Sequence, residues 1–403
     1  MHVNSGLPSR ERTRFPARVR LLLNELSLRR LALALFVILA AVSTVQRGVL
    51  SHTHATFPIF RQSFVHLEQG RDLYARYPTE QGAEERDRFK YNPSSALAFA
   101  PFSVLPFLAG LLAWTLVNAL GVYAAVRRLF PGREATWALF IVFPALIAAV
   151  QSTSSNGLVA ALFVGAFLSL EARQNWRGAA AIAAGTLMKL FPAALLPFAL
   201  IRPDRRRLLG IIAVVFAVML AAPLMVTTPA DLVAQYRSWL SILLADERDL
   251  SFARSIMVVF RNWNGTELPN WLFQAVATMI VVTPLALRPS MWNDARFRRS
   301  MLASLLIFVV IFNHQSENAS YVIASVGLAI WFLSAEVTAA RVILLVACMA
   351  GLEAVPYFLV WLWMQFDLLD GERLVSWARG RIAVRLSRPA SNELVPSSEA
   401  VEA

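Results

Sequence analysis

Lys189 stands alone in the stretch Gly185-Thr-Leu-Met-Lys-Leu-Phe-Pro192, an apolar region with Arg177 before it and Arg202, Arg205, Arg206 and Arg207 after it. An ammonium at that depth would match a phosphate or pyrophosphate group, with Arg237, Arg254 or Arg261 as helpers. It would equally serve as a snorkelling side chain or as half of an internal pair with a carboxylate. A second polar knot is the turn Asn313-His-Gln-Ser-Glu-Asn318. There Glu317, with His314, Gln315 and Asn318, could orient a hydroxyl or could simply cap a solvated turn. Gln151-Ser-Thr-Ser-Ser-Asn156 is a third knot. Gln151 and Asn156 are its candidate binding groups, although Ser, Thr and Asn are also the usual turn formers. Asp72, in Gly70-Arg-Asp-Leu-Tyr74, offers a carboxylate able to take a proton from an attacking hydroxyl. An Asx-turn or an N-cap after Gly70 explains the same residue. Tyr91, just ahead of Pro93, adds a phenol, and Asp87 beside it reads as solvated surface.

Other chemistries lack residues. His54 and His66 have no carboxylates at ligand spacing, so no metal site is expected. The lone Cys348 lies in an apolar stretch and reads as a small buried hydrophobe. No Walker loop, haem site or CxxC pair is present, and no cofactor is implied. Asn264-Gly-Thr266 matches an N-glycosylation acceptor, which matters only in a eukaryotic secretory setting.

The elements that must position these groups are apolar runs. Of 403 residues, 57% are hydrophobic and 16% charged, and the mean hydropathy is +0.54. A soluble chain has no interior large enough to hide that surface, so it must face lipid. The net charge of +12 comes almost wholly from arginine, since Lys90 and Lys189 are the only lysines. The arginines stand at the ends of apolar runs instead of forming one stripe with aromatics, which marks membrane topology and argues against a nucleic-acid partner.

Seven arginines precede the first apolar run, Leu31–Val45, which reads as an uncleaved signal anchor with residues 1–30 in the cytoplasm. Residues 52–92 and 227–266 then become large polar loops on the far side. Residues 94–105 are too short to span and are punctuated by Pro93, Pro101 and Pro106, so they lie in the interface or dip into it. The region between Arg177 and Arg202 reads as a tight hairpin with a polar middle, and 341–366 as a second hairpin. The expectation is an all-α polytopic integral membrane protein with about eleven or twelve membrane segments in one domain, 31–366, followed by a polar tail, 367–403. In this topology the knots around Asp72, Gln151, Lys189, Arg254 and Glu317 all fall on the outer side, opposite the arginine clusters. Polar groups at membrane depth are costly unless they are paired or used.

Several segments resemble glycosyltransferase family 87, the polyprenol-phosphate-sugar-dependent membrane transferases formerly grouped as DUF2029. They are Phe57 to Tyr74, Tyr91-Asn-Pro93, Ala98 to Pro101, Leu105-Pro106, Gln151 to Asn156, Gly185 to Pro192 and Asn313 to Tyr321, spread over most of residues 31–365. The resemblance implies a GT-C-like architecture in a bacterial inner membrane. It implies transfer of a hexose, typically mannose, from a polyprenyl phosphate donor to a lipid or glycan acceptor on the non-cytoplasmic face. The family's usual base is an aspartate just after the first span, where Thr56 stands here. Asp72 is the replacement candidate, with Lys189, Glu317, His314, Gln151, Asn156, Tyr91 and Arg254 as substrate-binding groups. No Asp-x-Asp pair exists to hold a nucleotide sugar through a metal. The competing readings are a transporter or flippase for a lipid-linked or anionic solute and a noncatalytic envelope scaffold.

Overall fold

Backbone amides in lipid have no water to bond, which leaves the helix as the local solution for these apolar runs. The computed structural model describes residues 25–51, 56–77, 88–245, 254–265, 268–351 and 354–371, and among them every regular element is a helix. The long arginine-rich start, His52, His54, Asp87, Thr266 and most of the C-terminal tail lie outside the described residues.

The principal helices are α1 (Glu25–Val45), α2 (Phe57–Glu68), α3 (Pro93–Ala98), α4 (Phe107–Leu129), α5 (Gly132–Gln151), α6 (Asn156–Glu171), α7 (Asn175–Met188) and α8 (Arg205–Ala221). They continue with α9 (Pro229–Ala245), α10 (Ile256–Asn264), α11 (Asn270–Leu287), α12 (Ala295–Ile311), α13 (Tyr321–Leu333), α14 (Ala339–Met349) and α15 (Ala354–Leu368). Five are long and apolar enough to cross a membrane: α1 extended to Leu50, α4, α5, α8 extended to Met225, and α11. Shorter apolar helices lie at Asn156–Glu171, Phe191–Leu200, Asn318–Leu333 and Ala339–Met349. The protein is a helical, multi-pass membrane protein.

Packing is densest where small residues let backbones meet, as expected when lipid removes the hydrophobic drive between helices. A Cβ on Gly327 of α13 would sit 2.5 Å from the Ala303 carbonyl of α12, and one on Gly157 of α6 would sit 2.9 Å from the Asn118 carbonyl of α4. Around these approaches α5 packs on α13, α6 on both α4 and α7, and α12 on α15, with Trp114 and Trp361 fully buried.

Two sequence expectations gain detail. The 227–266 stretch is mostly helical, as α9 and α10. Thr228 starts α9 by accepting the Asp231 amide at 3.2 Å, with Pro229 at the first helical position, and Gly265 ends α10 at φ 65°. Residues 94–105 carry two short helices, α3 and Ala100–Ser103, the first capped by Asn92 accepting from the Ser94 amide at 3.0 Å.

The helix ends sort by chemistry. At one end the arginines find carboxylates: Arg298 with Glu171 at 2.7 Å, Arg202 with Asp204 at 2.8 Å, Arg288 with Asp370 and Arg341 with Asp367 both at 3.7 Å, and Arg299 with Glu134 at 4.0 Å. At the other end lie the polar turns. The 177–202 region doubles back as α7, a break at Lys189, a 3-10 turn Phe191–Leu195 and a short helix Leu196–Leu200. Asn175 at its start donates to Asp204 at its return, 2.9 Å away.

Candidate functional site

The centre of the polar end is the turn between α5 and α6. Thr153 adopts φ 53°, a left-handed conformation that a β-branched residue takes at a cost. Its neighbours hold it there. Its hydroxyl accepts the Phe57 amide at 3.0 Å, its carbonyl accepts the Trp114 indole N–H at 2.7 Å, and the Thr56 hydroxyl donates to the Ser152 carbonyl at 2.9 Å. Arg47, just beyond α1, donates to the Gln151 carbonyl at 2.7 Å. The Gln151 side chain reaches Gln46 at 3.5 Å. Gln151 thus ties the segment following α1 to the turn.

Ser154, Ser155 and Asn156 are all buried beneath that clasp. The Tyr91 hydroxyl and the Ser155 hydroxyl share a hydrogen bond at 2.8 Å. The Asn156 amide donates to the Ser154 hydroxyl at 3.1 Å, which turns its carbonyl oxygen toward Lys189. Lys189 Nζ donates to Asn156 Oδ1 at 2.7 Å and lies 5.8 Å from the Phe191 ring centroid. The lysine is presented there because α7 ends at Met188 and Lys189 itself is extended, with φ −146°. The break is also packed: a Cβ on Gly185 would lie 2.7 Å from Pro192 Cγ. Ser95 of α3 braces it by donating to the Leu187 carbonyl at 2.9 Å.

The 313–318 turn closes the same region. Glu317 is exposed, caps the 3-10 turn Asn318–Ser320, and acts electrostatically on both Lys189 and Tyr91. His314 lies 3.4 Å from the Gln274 side chain of α11. Arg254 joins through its backbone, donating to the Ser316 carbonyl at 2.6 Å and accepting from the Tyr321 hydroxyl.

Asp72 occupies a different place. Its carboxylate is exposed and Oδ1 accepts the Tyr74 amide at 3.1 Å, an Asx-turn following Gly70 at φ 66°. Gln235 of α9 holds the same turn from both sides, accepting the Leu73 amide at 3.0 Å and donating to the Arg71 carbonyl at 2.8 Å. The turn communicates with the cluster through Tyr74, whose hydroxyl donates to the Tyr91 carbonyl at 2.8 Å. Burial holds both phenols well above their ordinary pKa, so Tyr74 and Tyr91 stay protonated and act only as neutral hydrogen-bonding groups.

The structure therefore brings Tyr91, Gln151, Asn156, Lys189, Glu317 and the Arg254 backbone to one end of the helices, with Asp72 joined through Tyr74. A comparison with protein-family models matches residues 89–312 to glycosyltransferase family 87, more than half of the chain. The chain belongs to glycosyltransferase family 87. No curated protein matches it.

In this family 87 member, Thr56 is a structural hydroxyl. Besides the Ser152 carbonyl it meets Thr153 Oγ1 at 3.3 Å, so the position expected to carry the family's aspartate instead closes the turn. Among the described residues no group of three or more His, Cys, Asp or Glu is placed to hold a metal.

The sequence reading missed Thr153, Ser155 and Gln235. Thr153 and Ser155 lay inside a turn already singled out. Gln235 had no local signal, because its two partners are more than 160 residues away. The cluster as it stands combines one ammonium, a buried amide, two neutral phenols and an exposed carboxylate. It can meet an anionic oxygen at Lys189 and hydroxyl groups around it.

Proposed function

We propose that the protein transfers a hexosyl group, mannose, from a polyprenyl phosphate donor to a lipid or cell-envelope glycan acceptor on the non-cytoplasmic face of a bacterial inner membrane. The observation that carries this reading is the Lys189–Asn156 pair at the polar end of a family 87 chain. In this reading the Lys189 ammonium meets the donor phosphate, and the Tyr91, Gln151, His314 and Arg254 regions border the sugar and the acceptor. The acceptor hydroxyl oxygen bonds to the anomeric carbon as the bond from that carbon to the phosphate oxygen breaks. The electron pair leaves on the phosphate, whose added negative charge Lys189 offsets. The hydroxyl proton passes to a carboxylate.

Two carboxylates compete for that proton. Asp72 is exposed and linked to the cluster through Tyr74, while Glu317 is exposed and its charge is felt at Lys189. The base is the one whose amide variant, Asp72→Asn or Glu317→Gln, loses turnover without losing donor affinity. The four shorter apolar helices, together with α7, α12 and α15, also lie in the bilayer in this reading, bringing the membrane segments to about eleven or twelve.

The test is transfer of label from a polyprenyl-phospho-mannose to an extractable acceptor in membranes containing the protein, with Lys189→Met as the impaired control. Absence of transfer across a broad set of donors and acceptors overturns the reading and leaves transport, lipid flipping or a scaffold role.

A further inference from the structure

A cavity of about 510 Å³ opens at the arginine end, on the far side of the molecule from Lys189, between the starts of α7 and α8. Arg173, Arg177, Arg207, Asp204 and the 60%-exposed Trp176 line it. Asp204, its one lining carboxylate, is already held by Arg202 at 2.8 and 2.9 Å and by Asn175 at 2.9 Å. Arg202 and Asp204 therefore cancel, and the three lining guanidinium groups leave the cavity strongly positive. The amino ends of two helices of 14 and 17 residues add their positive dipole ends to the same space. Three arginines in the first turn of α8 are an unfavourable choice for an isolated helix and a favourable one beside a bound anion.

The wall above the cavity indicates what kind of anion. Of the five long apolar helices, α8 with its extension is both the most hydrophobic and the least buried. Arg207, Ile211, Val214 and Val218 follow one another at intervals of four, three and four residues, so they lie along one stripe of the helix. Ile211 lines the cavity, and Val214 and Val218 are 52% and 64% exposed. From Arg207 to Val218 the stripe rises roughly 16 Å, about one leaflet of hydrocarbon. A free phosphate would use only the arginines, whereas a phospholipid seated there also lays its own chains on the adjoining stripe.

We infer that this cavity binds the headgroup of an anionic phospholipid, with the phosphodiester on Arg173, Arg177 and Arg207 and the acyl chains along the exposed Val214–Val218 face of α8, beyond the largely buried Ile211. Trp176 stands at the rim, where an indole suits the boundary between headgroup and water. The site is separate from the polar cluster and does not depend on the transferase reading.

The experiment is lipid binding to the purified full-length protein in detergent. Dioleoyl phosphatidylglycerol, dioleoyl phosphatidylcholine and inorganic phosphate are titrated separately, read by native mass spectrometry and by the shift in melting temperature. Phosphatidylglycerol is expected to bind and to raise the melting temperature, with phosphatidylcholine and inorganic phosphate giving little of either. Arg173→Gln/Arg207→Gln should weaken phosphatidylglycerol binding roughly 30-fold. Arg128→Gln, an exposed arginine outside the cavity, should leave binding unchanged. If the double variant is poorly folded, Val214→Trp/Val218→Trp, which blocks the stripe and keeps the arginines, must lower binding on its own. Equal binding of the two lipids, an equal effect of inorganic phosphate alone, or phosphatidylglycerol binding unaltered in both cavity variants would overturn the proposal.

Discussion

Lys189 and Asn156, 33 residues apart in the chain, meet through a 2.7 Å hydrogen bond from the lysine ammonium to the amide oxygen. Asn156 is 1% exposed and its own NH2 is spent on Ser154, so its oxygen is fixed before any ligand arrives. A charge held by a preset dipole loses little freedom when it binds an anion.

Removing either partner should therefore act on donor use before stability. Lys189→Met is expected to lower kcat/KM for the proposed polyprenyl phosphate donor by about 100-fold, and Asn156→Ala by about 10-fold, the range for a charge-assisted hydrogen bond. Lys189→Arg should rescue only in part, because a planar fork does not reproduce a point charge. Initial-rate measurements over a range of donor concentrations check all three.

Thr56→Asp tests whether the outer-segment threonine stands in for a carboxylate. The Thr56 hydroxyl is a donor to the Ser152 carbonyl, and a carboxylate there would face that carbonyl as a second acceptor. The variant is expected to lose roughly 1–3 kcal/mol of stability and to gain no transfer activity. A melting curve in detergent and a transfer assay on the same preparation provide the answer.

Gln235→Leu probes the turn that carries Asp72. It strips partners from the Leu73 amide and the Arg71 carbonyl together, at a cost of about 2 kcal/mol or more. The 71–74 turn should then be cut by protease well before the helices are. Cleavage at the wild-type rate would show that Gln235 does not hold the turn.

His66 gives the fold a dependence on pH. Burial, and then the nearby Arg71 charge, hold its imidazole below the ordinary value of 6.5, and its ring lies 4.1 Å from that of Tyr77. The folded protein binds this proton less readily than the unfolded chain does, so the contribution is fully present above about 6.5. It is lost as the pH falls from there toward the lower folded value. Melting temperatures recorded from pH 8 to pH 5 should fall below about 6.5, and His66→Gln should flatten that part of the curve.

Much of the architecture was legible because it rests on short-range patterns. Apolar runs long enough to need lipid, with arginines at their ends, identify helices and the face on which those ends gather. The doubling back of the 177–202 region could be read the same way, since both of its ends are basic. The helical character of 227–266 was also written locally, in Thr228-Pro229 and Gly265, but its polarity obscured it.

The site divides along a different line. Composition and chain position alone marked Lys189, Glu317, Tyr91 and the Gln151–Asn156 turn as candidate binding groups in an apolar chain. Which of them touch was decided only by the tertiary structure. The Thr56–Ser152, Tyr91–Ser155, Lys189–Asn156 and Leu73–Gln235 contacts join residues between 33 and 162 positions apart. No local pattern encodes such pairings, because they depend on where helix packing carries each end. Packing likewise settled the part played by Thr56. In the sequence it is a threonine where an aspartate was expected, and in the fold its hydroxyl closes the turn on which Asn156 and Lys189 depend.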